Sequence, residues 1–229
     1  MKSSKTTDLL LVLTGALLVV TVLFGVAARR FVPTSAKATM CIVLDPGHGG
    51  EDGGASGADG TREKHLNLAV TQSLGDLLTV MGYTVVYTRT DDVMVNAVGD
   101  TLRDRKVSDM NNRLALIETA DLAVSIHQNN FSDPQYSGTQ VFYGGKVAES
   151  RDLAESIQQT VVAQLQPQNT RTVKAGAENS YLLKQSTRPT VLVECGFLSN
   201  VQERELLKTR TYQRQMAFAI LSGIIQHLS

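Results

Sequence analysis

The sequence predicts an α/β fold: a single domain with a largely parallel, about six-stranded sheet flanked by helices, preceded by an N-terminal transmembrane helix. Two observations lead to this prediction. From residue 41 onward, short apolar runs alternate with amphipathic segments of helical length, the order of elements found in folds with a parallel sheet. Near the N-terminus the chain carries about twenty consecutive residues without a charge, a length sufficient to span a hydrocarbon core.

The apolar head extends from Leu9 to Ala28 and is flanked by basic residues on both sides. A cleavable signal peptide usually has a shorter apolar region, of roughly 7–15 residues. We therefore expect residues 1–30 to form an uncleaved signal-anchor, residues 31–40 a linker and residues 41–229 the folded domain. Small residues near the end of the head and in the linker leave cleavage open as an alternative.

The composition of the whole chain gives no indication of a nucleic-acid partner. Its 229 residues include 22 basic and 22 acidic side chains, so the formal net charge is zero. There are two cysteines, Cys41 and Cys195, and both lie in apolar, strand-like runs. We expect them to be buried free thiols, because a disulfide would require their strands to be neighbours.

Hydrophobic periodicity assigns the individual elements. Short apolar runs bounded by turn residues predict strands at residues 41–44, 83–89, 122–129, 138–144, 180–184 and 190–197. Apolar residues three and four apart predict helices at residues 63–81, 103–119, 148–166, 201–208 and 211–228. The run at 122–129 is apolar almost throughout, which is typical of a strand that is buried on both faces.

Four polar side chains stand at the ends of these elements. His48 follows the first strand after an abrupt Asp-Pro-Gly turn, His127 ends the strand "LAVSIHQN", and Glu194 lies near the end of "TVLVECGF". Glu63 opens the first helix. Because the carboxyl ends of parallel strands meet at one edge of a sheet, we expect these residues to converge there.

These residue types predict a hydrolytic metal site. Two imidazoles and one carboxylate, from His48, Glu63 and His127, leave one position of a tetrahedral zinc ion open for water, as catalytic zinc sites do. Glu194 is then free to act as the general base. Each residue also has a structural interpretation: Glu63 as a first-turn carboxylate, His127 as a core histidine and Glu194 as an ion-pair partner. His65 points about 200° away from Glu63 around the helix and is not expected to be a ligand.

Five segments carry a family resemblance: "DPGHGGEDGG", "EKHLNL", "GYTVVYTRTDD", "NNRLALIETADLAVSIHQN" and "PTVLVECGFLSN". In this order, and over nearly all of residues 41–228, they closely resemble the zinc-dependent N-acetylmuramoyl-L-alanine amidases of the amidase-3 family. The block "DPGHGG" is moderately specific and "SIH" is weak, whereas the whole set is a strong signal.

The resemblance implies hydrolysis of the amide bond between N-acetylmuramic acid and L-alanine in peptidoglycan, with one zinc ion (Zn2+) per chain. It assigns His48, Glu63 and His127 as zinc ligands and Glu194 as the catalytic glutamate, in agreement with the assignment made from the residues alone. Residues 41–229 are then the zinc amidase catalytic domain.

A narrower likeness involves "RDRKVSDMNNR", "SGTQVFYGGKVAES" and "NTRTVKA", which look like the germination-specific amidases of endospore formers. It implies removal of stem peptides from spore-cortex glycan so that muramic δ-lactam forms, with a separate peptidoglycan deacetylase completing the lactam. It also implies an extracytoplasmic catalytic domain, membrane-anchored or secreted, between the forespore membranes. An activating lipoprotein is a further expected partner.

Three functional alternatives remain open at this point. A vegetative cell-wall amidase would share all four site residues, and a related zinc peptidase would act on a different amide. A membrane-tethered peptidoglycan-binding module without activity would not need the complete ligand set. Arg113 and Asn129 are hypotheses for substrate- or ligand-positioning residues, and Arg113 fits an ion-pair partner equally well.

Overall fold

The computed structural model describes residues 39–176 and 180–229. The strands are β1 (Cys41–Pro46), β2 (Thr84–Tyr87), β3 (Leu122–Asn129), β4 (Gln140–Tyr143), β5 (Lys174–Ala175) and β6 (Thr190–Phe197). The helices are α1 (Glu63–Val80), α2 (Leu102–Ile117), α3 (Glu149–Gln164), α4 (Tyr181–Gln185), α5 (Val201–Leu207) and α6 (Arg210–Leu228).

All six strands belong to one mixed sheet with the order β2-β1-β3-β6-β4-β5. Pairing is parallel except between β4 and β6, which are antiparallel. The predicted six-stranded, largely parallel sheet is therefore confirmed. Because β1, β3 and β6 run in the same direction, their carboxyl ends meet at one edge of the sheet.

The strand predicted at residues 180–184 is wrong. Most of this segment forms the short helix α4. The strand that pairs with β4 at the edge of the sheet is instead β5, which has two exposed residues and no apolar pattern. Leu182 and Leu183 are both buried, although adjacent residues of a strand point to opposite faces. An apolar run this short has no period that distinguishes a strand from a helical turn.

Alternation along the strands supplies apolar side chains to both faces of the sheet. Ile42 and Leu44 of β1 belong to the larger core, which α1, α3 and α6 cover. Val43 belongs to a smaller core on the opposite face, together with Ile117 of α2 and Leu182 of α4. The domain thus has three layers, and α2 and α4 are the helices that border the carboxyl edge on the second face.

Both cysteines are free thiols. Cys195 is fully buried in the larger core, whereas Cys41 is only half-buried at the start of β1. Strand β3 separates β1 from β6, so the two cysteines lie on strands that are not neighbours. The prediction of unpaired thiols is confirmed, with less burial at Cys41 than expected.

The signal-anchor predicted at residues 1–30, and the linker up to residue 38, lie outside the described residues. Within the ranges that the structure describes, no helix is both long and apolar enough to cross a membrane. The predicted boundary between head and domain therefore stays a prediction.

Candidate active site

The structure brings together all four residues that the sequence singled out, at the carboxyl edge of the sheet. His127 on β3 and Glu194 on β6 are direct partners in the parallel ladder. His48 follows the end of β1, and Glu63 is the first residue of α1. The topology thus places side chains from four distant parts of the chain at one point.

Three of these residues form a compact donor set. One ligand atom each from His48, Glu63 and His127 lies within 4.8 Å of the other two. Nε2 of His48 is 3.3 Å from Oε1 of Glu63, and Nδ1 of His127 is 2.9 Å from the same oxygen. Two imidazole nitrogens and one carboxylate oxygen at this spacing fit the ligand set of a catalytic zinc ion.

Glu63 is held in place by groups from three directions. Its Oε2 accepts a hydrogen bond from the backbone N–H of Ala55 at 2.7 Å. Its Oε1 accepts from the Asn67 side chain and from the backbone N–H of Gln128, both at 3.2 Å. The N–H of Gln128 lies at an irregularity in β3 just after His127, where the pairing with β6 shifts register. The carboxylate therefore has a fixed orientation toward the two histidines.

The backbone at His48 is strained and is stabilised by two buried arginines. Its φ of 62° lies in the left-handed region, which is costly for a residue with a side chain. Nη2 of Arg113 donates to the carbonyl oxygen of His48 at 2.6 Å, and Arg89 donates to the carbonyl oxygens of Pro46 and Gly47, at 2.9 Å each. These bonds fix the turn from which the His48 side chain projects.

Two glycines make the close packing of the site possible. A Cβ at Gly47 would lie 2.2 Å from the His127 ring, and a Cβ at Gly54 would lie 2.6 Å from both Glu63 Oε2 and His48 Cδ2. Gly54 also has a φ of +64°. Gly47 and Gly54 of the "DPGHGGEDGG" segment therefore leave room for the side chains of His127, Glu63 and His48.

The electrostatics of the donor set favour charged side chains. Burial opposes the imidazolium of His48, but hydrogen bonds to Asp52 and Glu63 outweigh burial and raise its pKa to about 9. Burial likewise opposes the carboxylate of Glu63, but hydrogen bonds from His127 and His48 lower its pKa well below the ordinary carboxyl range. The Glu63 carboxylate is therefore ionised in the folded protein.

Glu194 has the opposite character. Burial raises its pKa to about 7; nearby His127 opposes this shift and the Glu63 carboxylate adds to it. Its Oε2 is buried and has no hydrogen-bond partner among the described residues. A carboxyl group whose pKa lies near neutral pH is suited to accept and return a proton, which is the property of a general base.

Three of the four residues, all but Glu63, line an open cavity of about 500 Å³. His48, His127 and Glu194 line its floor, and Met110, Phe142, Leu192 and Tyr181 are among the apolar residues of its wall. The combination of an apolar wall with a few convergent polar groups is typical of a substrate-binding cleft.

Arg113 and Asn129 were the other two residues considered from the sequence. Arg113 is fully buried, pairs with Asp45 and Asp109 at 2.7 and 2.8 Å, and also holds the His48 carbonyl oxygen, so it combines both suggested roles. The side chain of Asn129 accepts a hydrogen bond from the N–H of Asn130. Asn129 is not among the described residues that line the cavity.

Sequence reasoning missed two residues beside the site, Asp52 and Lys106. Asp52 Oδ2 accepts from Nδ1 of His48 at 2.8 Å, and Asp52 Oδ1 pairs with Nζ of Lys106 at 2.8 Å. Asp52 stands four residues after His48 in the segment "DPGHGGEDGG". This position within the family motif was the one indication in the sequence that Asp52 lies near the site. Nothing in the sequence indicated that α2 would bring Lys106 to it. His65, as expected, is exposed and is not part of the donor set.

Comparison with known proteins identifies the family of the chain. The amidase-3 family model, described as N-acetylmuramoyl-L-alanine amidase, matches residues 42–226. The germination-specific N-acetylmuramoyl-L-alanine amidase of Bacillus subtilis is 38% identical over 191 residues, which cover 82% of this chain and 79% of that protein.

Two solved structures are also similar. The CwlD amidase from Clostridioides difficile, in complex with the GerS lipoprotein, has 39% identity and a TM-score of 0.80, over 83% of this chain and 98% of that one. The N-acetylmuramoyl-L-alanine amidase AmiC2 of Nostoc punctiforme has 32% identity and a TM-score of 0.68, over 82% and 97%. The chain is thus an enzyme that acts on peptidoglycan, and it belongs to the amidase-3 family of N-acetylmuramoyl-L-alanine amidases.

Proposed function

We propose that this amidase is zinc-dependent, with His48, Glu63 and His127 as its metal ligands and Glu194 as its general base. The observation that carries the proposal is the compact donor set of two imidazoles and one carboxylate, with Glu194 in register beside His127. A structural ion pair does not explain Glu194, because one of its buried oxygens has no partner among the described residues.

The bond to be broken is the amide between the lactoyl carbonyl carbon of N-acetylmuramic acid and the nitrogen of L-alanine. A zinc ion in this site polarises a carbonyl oxygen and lowers the pKa of a water molecule. Glu194 removes a proton from the attacking water as its oxygen bonds to the carbonyl carbon. It then returns that proton to the L-alanine nitrogen as the carbon–nitrogen bond breaks, so it ends the cycle in its initial state.

Replacing Glu194 with glutamine tests the general base. We expect Glu194→Gln to release stem peptides from peptidoglycan about 10²–10⁴-fold more slowly, because the amide keeps the shape of the side chain but cannot accept the proton. Mass spectrometry of the digest measures the rate. Zinc content and thermal unfolding should stay at the wild-type level.

Glu203 provides a matched control for this experiment. Burial also raises its pKa, but it does not line the cavity. Glu203→Gln removes one of the two oxygens that accept from the backbone N–H groups of Gly138 and Phe197, so it should lower stability, but the folded variant should keep a hydrolysis rate within about twofold of wild type. Near-wild-type release by Glu194→Gln would refute the assigned role.

We propose further that the enzyme acts in spore-cortex maturation, removing stem peptides so that muramic δ-lactam can form. The identity to the germination-specific amidase of Bacillus subtilis supports this role. Deletion of the gene should yield spores whose cortex lacks δ-lactam, as measured by muropeptide analysis. Spores with normal δ-lactam and cells that fail to separate would instead indicate a vegetative wall enzyme.

The proposed location is extracytoplasmic, with residues 1–30 as a membrane anchor and residues 41–229 as the catalytic domain. An activating lipoprotein and a downstream deacetylase are the proposed partners, and the GerS complex of the Clostridioides difficile relative supports the first of them. Fractionation of sporulating cells tests the anchor: a protein of full length should partition with membranes, whereas a shortened, released protein would contradict it.

A further inference from the structure

A chain of two ion pairs leads from the metal-binding histidine to helix α2. Nδ1 of His48 donates to Oδ2 of Asp52 at 2.8 Å, and the other oxygen of Asp52 accepts from Nζ of Lys106 at 2.8 Å. Asp52 is largely buried, with 17% of its side chain exposed, whereas Lys106 is half exposed and lines the cavity. The His48 imidazole is thus linked to a helix residue, Lys106, that lies 58 positions later in the sequence.

The contact determines which nitrogen of His48 is available. An imidazole nitrogen that donates a hydrogen bond to a carboxylate keeps its proton, so the other nitrogen is the one left for a metal. Nδ1 faces Asp52, and Nε2 faces the Glu63 carboxylate at 3.3 Å. Asp52 therefore selects the tautomer and the ring orientation that complete the donor set.

Helix α2 also explains why Asp52 keeps this position. Lys106, Asp109 and Arg113 are spaced three and four residues apart and lie on one face of the helix. Arg113 holds the carbonyl oxygen of His48, and Lys106 holds the carboxylate that contacts the His48 ring. One face of α2 thereby fixes both the backbone and the side chain of this residue.

We propose that Asp52 and Lys106 are positioning residues that orient His48 for the metal and thereby set the zinc affinity of the site. The inference rests on the proposed zinc dependence and adds to it two residues that do not contact the metal position. A carboxylate behind a ligating imidazole raises ligand basicity and fixes the ring, and loss of such a partner costs roughly 10–100-fold in metal affinity.

The same turn contains a second clamp that serves as a control. Glu51, the neighbour of Asp52, accepts two hydrogen bonds from Arg105, the neighbour of Lys106, at 2.7 and 2.9 Å. This pair joins the same loop to the same helix but lies on the surface and does not contact His48. A variant of this pair therefore tests the effect of loosening the loop without changing the contact that orients the His48 imidazole.

The experiment measures zinc affinity of the full chain, after chelation, by competition with a chromophoric chelator. Wild type should bind one zinc ion per chain. Asp52→Asn should raise the Kd about 10–100-fold and Asp52→Glu should recover part of the loss, while Glu51→Gln should stay within about twofold of wild type. The unfolding midpoint of each metal-free variant is measured in parallel.

The outcomes separate the two proposals. Equal effects of Asp52→Asn and Glu51→Gln on the Kd would overturn the positioning role, since a general loosening of the loop would then account for both. If Asp52→Asn does not fold, Lys106→Met against Arg105→Met carries the same comparison, with weakened zinc binding expected only for the first. A wild-type chain that binds no zinc would instead contradict the proposed metal site.

Discussion

Asp45 is the charged centre of a buried polar network beneath the site. It is fully buried and accepts hydrogen bonds from Arg113 at 2.7 Å and from Ser125 and Thr88 at 2.6 Å each. Burial raises the pKa of Asp45, but Arg113 and the two hydroxyl groups outweigh burial and lower it below its ordinary value. The ionised carboxylate is therefore part of the folded structure, and Arg113 depends on it.

Replacing Asp45 with asparagine should destabilise the protein by about 3–5 kcal/mol, because the Arg113 guanidinium would lose one of its two buried counter-charges. Urea unfolding of the full chain measures the change. The exposed Arg151–Glu155 pair is the control, and Glu155→Gln should leave the unfolding midpoint unchanged. Equal midpoints for Asp45→Asn and wild type would contradict the importance of the network.

The same carboxylate predicts the direction of acid unfolding. Because the pKa of Asp45 is lower in the folded than in the unfolded chain, its contribution to stability is complete at neutral pH. That contribution is lost as the pH falls below about 4, where the unfolded chain takes up the proton first. The difference in stability between wild type and Asp45→Asn should therefore shrink on acidification, as urea titrations between pH 7 and 3 would measure.

At the scale of elements, α3 and α6 pack closely against each other on the side of the larger core. Gly223 of α6 faces α3 so closely that a Cβ there would lie 2.5 Å from Cα of Ile157 and 2.8 Å from Oγ1 of Thr160. The hydroxyl of Thr160 donates to the carbonyl oxygen of Ala219 at 2.8 Å across the same interface. The two backbones thus approach each other at a position that only glycine permits.

Gly223→Ala should destabilise the domain by about 1–3 kcal/mol, although alanine has the higher helix propensity, because the nearest atoms belong to the Ile157 backbone and cannot rotate away. Thermal or urea unfolding measures the loss. Gly145→Ala is the control, since a Cβ at Gly145 meets nothing within 4 Å. A stabilised Gly223→Ala variant would show that propensity outweighs the contact.

The elements differ in how well the sequence predicts them. The convergence of the four candidate residues was predictable because each lies at or near an end of a strongly patterned strand or helix. The two-residue strand β5 and the short helix α4 were not, because their form is set by pairing with β4 and by packing of Leu182 and Leu183. The contact between Asp52 and Lys106 depends on the rotation of α2 about its own axis, which tertiary packing decides and local pattern does not encode.

At the scale of the whole molecule, the proposed metal site joins parts of the chain that are far apart in sequence. His48 lies in the loop that follows β1, and Glu63 is the first residue of α1. His127 lies on the central strand β3. A ligand that binds only the folded chain stabilises it by mass action. The proposed zinc ion should therefore contribute to global stability as well as to chemistry.

Removal of zinc should lower the free energy of unfolding by about 2.7 kcal/mol when compared with a zinc concentration 100-fold above the Kd. Thermal unfolding with and without a chelator measures the shift. In a His48→Ala and His127→Ala double variant the chelator should have no effect. A double variant that still binds one zinc ion would refute the assigned ligands.

The in-register pairing of His127 with Glu194 predicts that the two sides of the site differ in hydrogen exchange. Both residues belong to central strands whose amides should exchange with deuterium only on global unfolding, whereas residues 47–62 are joined by isolated bridges and turns and should exchange through local opening. Exit of the proposed zinc ion should then require motion of only one side of the site. His127 and the proposed base Glu194 should therefore keep their positions while the loop that carries His48 opens.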